Sequence, residues 1–99
     1  MAKVRKYTMA WVASPDPDVA TYYVRATVAP GEPTYDTPHD DVGKVSQCEL
    51  PMPHTPLIDG DLRIALTAVD DVGNESDMVM MTVPFDLVAP ASPSGLHML

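Results

Sequence analysis

Eleven prolines in a chain of 99 residues constrain this fold more than any other feature. Proline has no backbone N–H, and its ring clashes with the preceding turn of a helix. At about twice the usual share, the prolines argue against an all-helical protein. They gather in stretches such as SPDPD (Ser14 to Asp18), APGEPTYDTPHDD (Ala29 to Asp41) and the run through Pro51, Pro53 and Pro56. Between these stretches the residues alternate apolar and polar, the period of a half-buried strand.

Lys6 to Ala13 (KYTMAWVA) would place Tyr7, Met9, Trp11 and Ala13 on one face. Thr21 to Val28 (TYYVRATV) would turn Tyr22, Val24, Ala26 and Val28 inward, with Tyr23, Arg25 and Thr27 outward. Val42 to Leu50 can hold one or two short strands. Leu62 to Val69 (LRIALTAV) is the clearest strand, alternating Leu62, Ile64, Leu66 and Ala68 with Arg63, Ala65, Thr67 and Val69. Asp77 to Phe85 (DMVMMTVPF) is another, ended by Pro84. No segment carries a capped 3.6-residue period. The spacing predicts an all-β fold, an antiparallel Greek-key β-sandwich of about seven strands.

The length sets one domain, with a core that buries roughly two-thirds of the unfolded surface. Lys+Arg is 6 and Asp+Glu is 14, a net charge of -8. Such a surface repels phosphate backbones and anionic lipid heads, so neither nucleic acid nor membrane insertion is expected. Cys48 is the single cysteine, which excludes an intrachain disulfide. The N-terminal stretch lacks the apolar run of a signal sequence, and no stretch approaches the ~18 apolar residues of a membrane span. The expected setting is synthesis in the cytoplasm, or an extracellular one if the chain is cut from a longer parent.

Four acidic residues crowd AVDDVGNESD, Ala68 to Asp77. Their spacing departs from a calcium loop, which alternates its oxygen ligands and ends on a distant glutamate. A turn is the preferred reading, with Gly73 at positive φ and Asn74 tolerating it and bonding its own backbone. Asp16 and Asp18 read as turn acids, and Asp59-Gly60-Asp61 as a β-turn. His39, Asp40 and Asp41 could ligate a metal, but a solvated loop is preferred; no Cys/His spacing fits zinc. Cys48 with His54 could form a thiol–imidazole pair, yet a lone strand cysteine more often packs as a small hydrophobe. No motif places a nucleophile, and no glycine-rich loop could cradle a phosphate. No catalytic residue, cofactor or metal site is expected.

Met78, Met80 and Met81 cluster on the last strand. If Val79, Met81 and Val83 face the core, Met78 and Met80 face out as an adaptable contact surface; the alternative is that local packing buries them.

Three stretches together resemble a fibronectin type III domain of the bacterial or phage type. WVASPDPDVATYYV (Trp11 to Val24) supplies the core tryptophan, the D-x-D-V-A-x-Y-x-V pattern over Asp16 to Val24, and Tyr22 as the core tyrosine. LRIALTAVDDVGNES (Leu62 to Ser76) supplies A-V-D-x-x-G-N-x-S, and the strand after it completes the match. Two departures stand out. Leu62 lies at or beside the position where the family carries its corner tyrosine. The A-P-x-x-P-x-G-L motif that should precede the tryptophan strand stands instead at the C-terminus, as APASPSGL (Ala89 to Leu96).

The division expected is a sandwich over 1–88 and a first-strand-like segment over 89–99. That segment could be the stub of a following domain, dock on its own chain, or fill a neighbouring copy. Leu96 and Met98 alternate with His97, so one face could enter a core. The candidate interaction residues are therefore Met78, Met80, Ser94, Gly95, Leu96 and Met98.

The resemblance speaks to fold rather than activity; with no catalytic constellation in the chain, the expected function is a non-catalytic structural or interaction module with protein partners, including copies of itself through strand exchange. A subunit of a larger assembly, such as a phage virion or a surface filament, is the expectation. The alternative is an accessory spacer or weak-binding domain of a secreted carbohydrate-active or adhesion protein, with Tyr23 and Tyr35 as candidate sugar-facing rings.

Overall fold

Branched and aromatic residues at alternate positions favour extended backbone, and each such run forms a strand. A computed structural model describes residues 6–85 and 92–99. Six strands lie among the described residues, where about seven were expected: β1 (Tyr7–Ala10), β2 (Val19–Val28), β3 (His39–Gly43), β4 (Gln47–Leu50), β5 (Gly60–Asp70) and β6 (Val79–Phe85). The protein is all-β, with two antiparallel sheets, one of order β1-β4 and one of order β3-β2-β5-β6.

The register follows the apolar alternation. Tyr22, Val24, Ala26 and Val28 of β2 stand opposite Ala68, Leu66, Ile64 and Leu62 of β5. Opposed residues share a face, so the two longest strands turn one apolar row toward the second sheet. There Met9 of β1 and Leu50 of β4 meet Val24, Leu62, Ile64 and Phe85 in one buried cluster. Val24 and Leu62 are completely enclosed, each worth about 1.5–3 kcal/mol of burial. Trp11 lies just beyond β1 and tilts against Tyr22, ring centroids 5.5 Å apart.

Four expectations change. Gly60 and Asp61 begin β5 and pair with Phe85 and Pro84, where Asp59 to Asp61 was expected to be a β-turn. β1 is shorter than Lys6 to Ala13, because the chain leaves its partner after Ala10; one further bond, Trp11 N–H to the Ser46 carbonyl at 3.0 Å, closes the pairing. His39 to Asp41 belong to β3, not to a loop. Arg25 faces away from the core as expected but is 2 % exposed, because the 29–38 connection and Glu75 cover it. The expected boundary between residues 88 and 89 lies outside the described residues.

Sheet widths decide where the core ends. Neighbouring strands sit about 4.8 Å apart, so a two-stranded sheet cannot cover a four-stranded one. On the β3 side the connection after β4 makes up the difference. Met52, Leu57 and Ile58 pack on the core. Asp40 holds this connection by accepting the His54 N–H at 3.1 Å and the Thr55 hydroxyl at 3.0 Å. On the β6 side no described element does the same.

Candidate functional site

The uncovered side is an apolar cleft between β1 and β6. Val79, Met81 and Val83 stand opposite Leu66, Ile64 and Leu62, and so share their inward face. Val79 is nevertheless 71 % exposed and Met81 45 %. Met9 and Trp11 form the facing wall, with Ile64 and Leu66 at the floor. The cleft continues past Tyr7 to Phe85, where the two rings close it edge to face at 4.9 Å. The indole N–H of Trp11 is buried without an acceptor, a state costing about 1–3 kcal/mol.

The rim of this cleft is an unpaired backbone edge. The Trp11 N–H points to β4. Strand N–H and C=O groups alternate sides, so those of Thr8 and Ala10 point away from β4 into the cleft mouth. Within the described residues β1 pairs only with β4. An unpaired edge beside exposed apolar side chains is a template for another strand.

The expected interaction residues divide between two places. Met80 is exposed on β6, opposite Ala65 on the outer face, and Met78 is half-buried just before the strand. Ser94, Gly95, Leu96 and Met98 lie in segment 92–99, which forms no helix or strand. Leu96 and Met98 are 102 % and 94 % exposed, so the structure does not bring them against Met78 or Met80, nor into the cleft. Sequence reasoning missed Val79 and Met81 as surface residues. Their alternation reads as core, and only the width of the opposing sheet leaves them open.

The charged candidates serve the fold. In AVDDVGNESD, Asp70 accepts the N–H groups of Asn74 (2.8 Å) and Val72 (3.1 Å) and the Asn74 side-chain amide (2.9 Å). The hydrogen bonds from Asn74 hold its carboxyl below the usual aspartate range. Gly73 takes φ +90° in this turn, a conformation that costs a residue with a Cβ. It is Asp70, rather than Asn74 by its own backbone, that ties the turn. Asp16 caps its own turn by accepting the Asp18 N–H at 2.9 Å.

Asp40 does not converge with His39 and Asp41, because neighbours on a strand point to opposite faces. His39 stacks on Tyr23 with centroids 3.8 Å apart, while Asp40 is buried on the other side. Asp41 accepts from the Thr21 hydroxyl and the Gly43 N–H, which lower its pKa. No group of three or more metal-ligating side chains exists among the described residues. Cys48 packs half-buried against the core, and burial, helped by the Asp40 charge, pushes its thiol pKa up. A thiol so held is a poor nucleophile.

Tyr23 and Tyr35, the candidate sugar-facing rings, flank the Arg25 guanidinium at 5.8 Å each. Arg25 donates to both Glu75 carboxylate oxygens (2.7 and 3.2 Å) and to the Thr37 and Tyr35 carbonyls. Its bond to Glu75, more than any other contact, lowers the Glu75 pKa.

No described helix is long and apolar enough to cross a membrane. No protein-family model, curated protein or solved structure matches the chain.

Proposed function

We propose that this chain is a non-catalytic structural and interaction module, fibronectin type III-like with Greek-key connections, acting as a subunit of a larger assembly such as a virion or a surface filament. The observation that carries this reading is the cleft between β1 and β6, where an unpaired strand edge adjoins apolar side chains of the inward face. A surface of this kind suits partnership by strand addition. The charged clusters, by contrast, are spent on turns and on the Arg25–Glu75 pair. Tyr23 and Tyr35 are likewise engaged around Arg25, which weighs against the accessory sugar-binding alternative.

The test is the mass in solution of the chain with and without residues 89–99. Assembly that falls to monomer on truncation supports the subunit reading. A monomer of unchanged stability in both forms sinks it and makes the accessory spacer the first choice.

A further inference from the structure

Resting on the reading of the chain as an assembly subunit, we propose that residues 92–99 of one copy fill the β1/β6 cleft of the next, joining copies head to tail. The segment SPSGLHML forms no helix or strand, and Leu96 and Met98 stand almost wholly in solvent. The Cα radius of gyration, 17.4 Å, exceeds the ~13 Å of a compact chain of this length. Leu96 and Met98 are two residues apart, so as a strand they share a face. The same two-residue spacing separates Met9 from Trp11 and Val79 from Met81 on the cleft walls. Charge agrees: the segment has no aspartate or glutamate in a chain of net charge -8. Its side chains thus add no like charge for a second acidic copy to repel.

Strand direction selects a second copy over the same one. Tyr7 sits beside Phe85, while Trp11 lines the other end of the cleft with Val79, so β1 and β6 run in opposite senses across it. A strand pairing antiparallel to β1 enters at the Trp11 end and leaves at the Tyr7 end. The chain itself leaves β6 at Phe85, the wrong end for its own cleft. Returning to the Trp11 end means retracing β6, about 20 Å at 3.3 Å per residue. With residue 92 at the Trp11 end, residues 85 and 92 can be at most ~25 Å apart when fully extended, which leaves only about 5 Å for the turns such a return needs. A direct turn after Phe85 would instead lie parallel to β1, the less stable pairing. The next copy presents its Trp11 end without that constraint, and Thr8 and Ala10 supply the ladder. The contact joins two different surfaces, so copies extend as an open chain or close as a ring.

Two complementary variants test this in the full-length protein. Ala10→Pro removes an N–H that faces the cleft and not β4, blocking the acceptor edge. The double variant L96D/M98D blocks the donor and lies outside the sandwich. The expected result is that wild type grows beyond two copies with concentration and each variant alone stays monomeric. Mixing them should give a complex of two copies and no more, with a blue shift in Trp11 emission. Wild-type mass that stops at two copies overturns the head-to-tail arrangement. Assembly that survives both variants overturns the inference and leaves the subunit reading standing. A wild type that is monomeric at every concentration, and no less stable when residues 89–99 are removed, overturns both. Since A10P could disturb β1, its melting curve is recorded, and L96D/M98D alone must still abolish growth.

Discussion

Arg25 is the residue whose position departs most from local pattern. It alternates outward from the core on β2, yet its side chain is 3 % exposed, held by Glu75 at 2.7 Å. A buried ion is tolerable only when its partner and its remaining donors are satisfied, and two carbonyls and Thr67 complete that requirement. Glu75→Ala should lower the unfolding free energy in urea by about 3 kcal/mol, because it strands the guanidinium. The double change Arg25→Met with Glu75→Leu should cost less than the single one; a larger cost would show that the pair is not the source.

The same pair sets a pH dependence. Glu75 has a folded pKa below its ordinary 4.5, so its contribution is fully present above that value. It is lost as pH falls through the folded pKa. Unfolding measured from pH 6 to 2 should show a smaller acid loss in Glu75→Gln than in wild type.

At the scale of elements, the connection after β4 acts as a substitute strand. Thr55 is completely buried and bridges to Met52 by reciprocal N–H to carbonyl bonds of 3.0 Å. Asp40 fastens it to β3. Asp40→Ala removes the acceptor for one N–H and one hydroxyl, at about 1–3 kcal/mol for each group left buried and unpaired. Amide exchange at His54 should accelerate more than exchange within β5; equal acceleration would mean that the connection is not a separate unit. This role was only half legible. Three prolines marked an extended connection, but a carboxylate 14 residues away from His54 in sequence is found only by the fold.

For the whole molecule, unequal sheet widths leave one side of the core open. Ile64 and Met81 are cross-strand partners on the same face, but the first is 2 % exposed and the second 45 %. In dilute protein, Ile64→Ala should cost about 2–5 kcal/mol. Met81→Gln should cost about 1 kcal/mol or less, since an exposed side chain loses little burial. A large loss at Met81 in dilute protein would mean that the cleft is already filled. The pair of measurements thus reads the state of the cleft without reference to assembly.

The all-β class, the inward rows of β2 and β5, and the turn at Gly73 were all legible from local pattern. Each follows from interactions between near neighbours: alternation in a pleated strand, missing N–H groups at proline, and positive φ at glycine. Only distant contacts decided that outward Arg25 is buried, that the connection after β4 covers Asp40, and that Val79 and Met81 face a cleft. Those outcomes depend on which distant segments cover a given strand. Alternation fixes the face a side chain takes, but not whether anything lies across from it.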